Sequence, residues 1–209
     1  MKLICISDTH NKHHQIPIPD GDVLIHAGDI TEGGTKREVL DFLEWFSSQP
    51  HQHKIFIAGN HDFYFEKNED KNIQEIIPQN VCYLKNDGIT INNIKFWGSP
   101  ITPGNGTWAF NEILTQEISK HWEQIPEDTQ VLITHTPPYK IKDVLNNGRH
   151  AGCASLLKTL QNRQIEFHIF GHVHDSYGIT SISGTKFINA SCLDNKDRYL
   201  HKPLEVIIK

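Results

Sequence analysis

Cysteine is scarce and scattered: Cys5, Cys82, Cys153 and Cys192 include no C-x-x-C pair, which excludes a thiolate zinc module and argues against a disulfide framework. No apolar run approaches the roughly 20 residues of a membrane-spanning helix. The opening "MKLICISDTH" breaks its apolar stretch at an aspartate, too early for a signal-peptide core, so a soluble, cytoplasmic protein is expected. Basic residues are in the minority, with 20 Lys+Arg against 25 Asp+Glu and a net charge of -5. A broad electrostatic grip on nucleic acid or membrane is therefore not expected, and any phosphate recognition must be local. Repeats, low-complexity tracts and linkers are also missing, and 209 residues suit a single domain spanning 1–209.

What the chain does contain is a series of short, β-rich apolar runs that end abruptly: "KLICI", "DVLIH", "KIFIA", "QVLIT" and "FHIF". Such runs read as buried strands of a sheet covered on both faces. Between them, "TKREVLDFLEWFSSQ" carries Val39, Leu40, Leu43 and Phe46 at helical spacing. "NEILTQEISKHWEQI" does the same with Ile113, Leu114, Ile118 and Trp122, and "CASLLKTLQNR" is a third helix candidate. Residues 81–98 instead read as consecutive strands with Asn-Asp-Gly and Asn-Asn turns, and "YGITSI", "TKFINA" and "PLEVIIK" repeat that style. The expected class is α/β, with a mixed sheet or two packed sheets flanked by helices.

Polar residues follow each strand: Asp8-Thr9-His10, Gly28-Asp29, Gly59-Asn60-His61-Asp62, Thr134-His135-Thr136 and Gly171-His172-Val173-His174. In open α/β sheets the carboxyl ends of strands face one crevice, so these residues are expected to converge. Two carboxylates, one amide oxygen and four imidazoles are too many donors for one tetrahedral ion. Two ions about 3.5 to 4 Å apart sharing a carboxylate, with Asp29 the candidate bridge, would use them all. D-x-H and H-x-H place side chains at i and i+2, on the same side of an extended segment. Mixed nitrogen and oxygen donors suit Mn2+, Fe, Zn2+ or Mg2+.

This ordered set, Asp8-x-His10, Gly28-Asp29, Gly59-Asn60-His61-Asp62, His135 and Gly171-His172-x-His174, resembles the signature of the calcineurin-like metallophosphoesterase superfamily. "THTPP", "GRHAGCASLL", "FGHVHDSYG" and "INASC" further resemble its MPPED branch, grouped with class III cyclic-nucleotide phosphodiesterases. The resemblance implies a four-layer α/β/β/α sandwich of two mixed sheets flanked by helices. It implies one metal ion on Asp8, His10, Asp29 and His174, a second on Asp29, Asn60, His135 and His172, and His61 as a catalytic histidine that is not a ligand. Some members of the branch carry glycine at the position of His172; the histidine here favours a competent enzyme. Asp62 is then either a carboxylate that orients a neighbour or a tie within its own loop.

The implied reaction is hydrolysis of a phosphoester by a metal-bridged hydroxide, with His61 stabilising the transition state or protonating the leaving group. Arg149 could fork onto phosphate oxygens or be a solvated loop residue. Asn11 could reach a phosphate oxygen or serve the turn. Protein phosphatases of the superfamily carry an arginine in the Gly-Asp motif, where this chain reads "GDITEGG". Glu32 would repel a dianionic monoester more than a monoanionic diester, so a small diester, cyclic nucleotides among the possibilities, is the expected substrate. A phosphomonoesterase and a slow, metal-binding regulatory module are the alternatives. A metallo-β-lactamase-type hydrolase fits poorly, since "HVHDSY" lacks the final histidine of that motif. Among the other histidines, His13, His14, His51, His53, His121 and His201 are expected to face solvent, His26 and His168 to be buried and satisfied, and His150 is open. Phe63, Tyr64 and Phe65 either pack in the core or line the substrate pocket.

Overall fold

The computed structural model describes residues 1–113 and 115–209. In chain order, the strands of its first half are β1 (Lys2–Ile6), β2 (Val23–Ala27), β3 (His53–Ile57), β4 (Cys82–Tyr83), β5 (Asp87–Ile91), β6 (Ile94–Ser99), β7 (Thr102–Pro103) and β8 (Asn111–Glu112). The second half adds β9 (Val131–Thr134), β10 (Phe167–Phe170), β11 (Gly178–Ile182), β12 (Thr185–Asn189) and β13 (Leu204–Ile207). The helices are α1 (Lys36–Ser48), α2 (Phe63–Lys67), α3 (Asp70–Ile76), α4 (Thr115–Glu123) and α5 (Ala154–Leu160). Two large sheets result, ordered β13-β1-β2-β3-β4 and β11-β12-β10-β9-β6-β5. Each is mixed: parallel strands fill the middle, while β13 on β1, β11 on β12 and β5 on β6 pair antiparallel.

Side-chain alternation along the strands makes the layers. Leu3, Cys5, Val23, Ile25, Ile55 and Ile57 of the first sheet meet Phe96, Val131, Ile133, Phe167 and Ile169 of the second in a wholly apolar seam. Their neighbours in sequence point the other way, Ile4, Ile6, Leu24 and Phe56 clustering with the buried face of α1, and Leu132 and Phe170 belonging to the cluster that holds Ile118 and Trp122 of α4 and Leu156 and Leu160 of α5. The arrangement is the α/β/β/α sandwich, and each large side chain so buried contributes about 1.5–3 kcal/mol.

The start of α1 is set locally: Thr35 Oγ1 accepts from Glu38 N at 3.3 Å while Thr35 N donates to Glu38 Oε2 at 2.8 Å, a reciprocal cap. Its buried stripe is Val39, Phe42, Leu43 and Phe46. Leu40, expected on that stripe, is 43% exposed, because at about 100° per residue its position falls beyond the arc that Phe42, Phe46, Val39 and Leu43 span. Ile118 and Trp122 are buried as the helical spacing predicts, whereas Ile113 is exposed just beyond β8 and Leu114 lies outside the described residues. Helix α2 follows directly after "GNHD" and α3 follows α2 after two residues, both too short to show a period. Asn92 and Asn93 both take positive φ, 50° and 64°, the turn that matches strand twist between β5 and β6. The strand-rich stretch 81–98 divides between sheets, β4 joining the first and the β5–β6 hairpin the second.

Candidate metal centre

The carboxyl ends of β1, β2 and β3 in one sheet and β9 and β10 in the other point to one end of the sandwich, and their loops are laced together. Asp8 N donates to Gly28 O at 3.0 Å, Thr9 N and His10 N to Asp29 O at 3.0 and 3.1 Å, and Gly171 N to His135 O at 3.1 Å. Backbone strain concentrates here: Asp8, His10, Asn11, Asp29 and His172 have φ of 53°, 40°, 59°, 54° and 67°. Non-glycine residues hold that left-handed region only where surrounding contacts enforce it. Gly171 meets a different need, since a β-carbon there would collide with the Asp8 carboxylate and the Ser7 hydroxyl.

Three groups of donors form here. One, at the rim, is His10, Glu32 and His61. In the other two, ligating atoms of Asp8, His10 and His174 lie within 4.8 Å of one another, as do those of Asp29, His135 and His172. Asp29 Oδ2 stands between them, 3.2 Å from His135 Nε2 and 3.8 Å from His10 Nε2. Asn60 Oδ1 is 3.0 Å from the same His135 nitrogen. Asp8 is held by Ser191 Oγ at 2.7 Å and by His172 N at 3.0 and 3.1 Å to its two oxygens. Mixed oxygen and nitrogen donors, buried and converging on two shared volumes, fit a pair of divalent ions.

Imidazole orientation follows from partners that can only accept. Nδ1 of His135 faces Ala27 O at 2.9 Å, Nδ1 of His174 faces Asp194 O at 3.2 Å, and Nδ1 of His61 faces Glu32 O at 2.8 Å. A carbonyl takes a proton-bearing nitrogen, so each ring turns its Nε2 toward the centre. His10 presents Nε2 to Asp29, with Nδ1 3.5 Å from Glu32 Oε2.

The charges are concentrated. Burial alone would raise the Asp8 and Asp29 carboxyls, but His174 beside Asp8 and His135 beside Asp29 hold both well below the usual range. In return, although burial opposes it, His135 and His174 are each lifted to about 9 by those carboxylates. Burial pushes His172 down to about 4 and also lowers His10. Two buried carboxylates thus demand positive charge, which protons on His135 and His174 meet in the metal-free chain.

Other expected residues fall differently. Asp62 accepts from Gly59 N (2.8 Å), Ile30 N (3.2 Å), Thr31 N (2.9 Å) and Thr31 Oγ1 (2.6 Å). It ties the loop after β2 to the loop after β3, and the orienting partner of the His61 ring is the Glu32 carbonyl. Arg149 is exposed at a turn closed by Leu145 N donating to its carbonyl at 2.9 Å, and among the described residues no hydrogen bond or ion pair joins its guanidinium to the centre. Asn11 adjoins it, with Oδ1 buried and unpartnered. His26 and His168 are buried, each with Nε2 on a threonine, Thr9 at 2.9 Å and Thr134 at 2.8 Å. His150 pairs with Asp143 at 2.7 Å. Of the six histidines expected in solvent, only His14 is exposed. His13 is buried against Phe42 and Trp45, and His51 is buried with Nε2 3.0 Å from Pro19 O. Phe65 is core, whereas Phe63 stacks 6.1 Å from Trp108.

Trp108 carries no periodic signal in the sequence. Its indole, 45% exposed, stacks on His61 at 4.5 Å and 27°. Ser191 and the Glu32 and Asp194 carbonyls were also beyond sequence reading, the last two because any residue type supplies a carbonyl.

Residues 1–176 match the family model described as calcineurin-like phosphoesterase. The chain belongs to that family. Among its relatives, the UPF0046 protein K07C11.7 of Caenorhabditis elegans is 38% identical over 98% of this chain and 74% of its own. Human metallophosphoesterase domain-containing protein 1 is 38% identical over 91% of this chain, which spans only 65% of that relative's length. These likenesses put this phosphoesterase in the MPPED branch. The fold matches that of the phosphopantetheinyl hydrolase PptH from Mycobacterium tuberculosis, with a TM-score of 0.63 over 94% of this chain and 90% of that one at 15% identity. Family members use divalent metal ions, in keeping with the two donor groups. No helix among the described residues is long and apolar enough to cross a membrane.

Proposed function

We propose that this phosphoesterase is a phosphodiesterase of small diesters, cyclic nucleotides among them, working with two divalent ions. The observation that carries the reading is the position of Asp29 Oδ2, shared between His135 Nε2 and His10 Nε2 at 3.2 and 3.8 Å. Asp8, His10, Asp29 and His174 would hold one ion, and Asp29, Asn60, His135 and His172 the other. Ions bound there supply Lewis acidity toward phosphoryl oxygens and lower the pKa of water toward neutrality.

The chain's own residues supply the rest. His61 is a half-buried imidazole whose Nδ1 donates to Glu32 O, leaving Nε2 for the substrate; with Nε2 protonated as well, the ring stabilises charge on the phosphoryl group or gives the Nε2 proton to the leaving oxygen, returning to the neutral Nδ1–H form. Glu32, its carboxylate 3.5 Å from His10 Nδ1, adds negative charge at the rim, which opposes a dianionic monoester more than a monoanionic diester. Trp108 offers an exposed aromatic face beside His61 on which a nucleobase could stack.

The test is hydrolysis of a chromogenic diester and its monoester counterpart by metal-stripped protein, with Mn2+, Zn2+ and Mg2+ restored in turn. Metal-dependent turnover favouring the diester is expected. Preference for the monoester would overturn the substrate assignment, and two bound ions per chain without turnover would make the protein a binding module.

A further inference from the structure

One other group of potential ligands stands apart from the centre just described. His13 and His14 lie in a 3₁₀ turn, His13–Gln15, and Asp41 lies on α1; their ligating atoms are within 4.8 Å of one another. Adjacent side chains on an extended segment would point apart, but this turn brings the two rings to 4.4 Å between centroids. His13 Nε2 is 3.3 Å from Asp41 Oδ2, and His14 Nε2 is 3.5 Å from Asp41 Oδ1. Two ligands each about 2.0–2.1 Å from a tetrahedral ion are themselves about 3.3 Å apart.

The second observation concerns His13 alone. Its side chain is fully buried, yet Nδ1 has no hydrogen-bond partner and Nε2 faces only the Asp41 carboxylate, at 3.3 Å and off hydrogen-bond geometry. Phe42 at 5.7 Å and Trp45 at 4.8 Å hold the ring. Burial, with His14 adding to it, pushes this imidazole down to about 4, so it is neutral at pH 7, the form that ligates a metal. The other two donors are open to solvent, at 60% for His14 and 49% for Asp41, which leaves an ion a path of entry.

We propose that His13, His14 and Asp41 form a separate site for a divalent ion of borderline softness, Zn2+ foremost, with water completing its coordination. Two imidazoles and one carboxylate suit Zn2+, Co2+ or Ni2+ better than Mg2+ or Ca2+. Such an ion would pin the turn that begins three residues after His10 onto α1. It shares no ligand with the proposed catalytic pair, and its test does not depend on turnover.

The test compares the full-length protein with His14→Ala and Asp41→Asn, both exposed positions chosen to spare the core. Each is stripped of metal, dialysed against buffered Zn2+ and assayed for bound zinc per chain, with circular dichroism to verify the fold. Each variant is expected to bind one zinc fewer than wild type and to show a smaller zinc-induced rise in Tm. Visible absorption of the Co2+ form should likewise lose one tetrahedral component. Equal zinc counts in folded wild type and folded Asp41→Asn would overturn the proposal, as would a wild-type count accounted for entirely by the Asp8 to His174 centre.

Discussion

The carbonyl oxygen of Glu32 lies 2.8 Å from Nδ1 of His61, so a residue of the β2 loop orients the imidazole contributed by the loop after β3. His61 sits among the candidate ligands with its ring stacked on the Trp108 indole at 4.5 Å.

Replacing His61 with alanine should leave metal content intact and lower turnover by about 10²-fold or more, the usual contribution of a positioned acid or base. Metal analysis alongside kcat on a diester checks this. Loss of an ion would instead make His61 a ligand.

Asn60→Ala removes the amide oxygen 3.0 Å from His135 Nε2. Occupancy of the ion site shared by Asp29, His135 and His172 and activity should fall together, read by metal analysis and by the metal concentration needed for half-maximal rate. Full activity at limiting metal would refute the ligand assignment.

Metal uptake should release protons. His135 and His174, lifted to about 9 by Asp29 and Asp8, carry a proton at pH 7 that an ion must displace, one from each ring. Calorimetry in two buffers of different ionisation enthalpy would measure the release, and affinity should rise from pH 6 to 9. The metal-free protein shows the complementary sign: a histidine whose folded pKa is raised adds stability below about 6.5, and that stability is lost as pH rises through about 9. Proton-neutral uptake at pH 7 would contradict the charge pattern.

Trp108→Ala should weaken a nucleotide diester more than a diester of simple alkyl alcohols. Base stacking is typically worth about 1–3 kcal/mol, so kcat/KM for the nucleotide should drop about five- to a hundredfold, with the alkyl diester nearly unchanged. An equal loss on both would assign Trp108 to holding His61 rather than to substrate.

The sandwich was largely legible because its central strands β1, β2, β3, β9 and β10 are buried on both faces and read as unbroken apolar runs, each ending at glycine or a polar residue. The amphipathic faces of α1 and α4 announced themselves through period, and α5 stood out as an apolar helix candidate, whereas α2, at 5 residues, and α3, at 7, left no such signal. Leu40 shows the limit of that signal: a residue can stand at helical spacing and still miss the buried stripe, which depends on where the helix lies on the sheet.

For the candidate centre, the sequence by itself determined the donor set and its placement after strands, since residue types and alternation are local properties. It could not decide distances between loops separated by more than a hundred residues. That Asp29 Oδ2 lies between His10 and His135 was settled only when the two sheets packed; that Asp62 binds loop amides rather than the His61 ring followed from the pairing of β2 with β3, and the burial of His13 from the seating of α1. Packing also brought backbone carbonyls of Ala27, Glu32 and Asp194 against three imidazoles, contacts that no side-chain identity encodes.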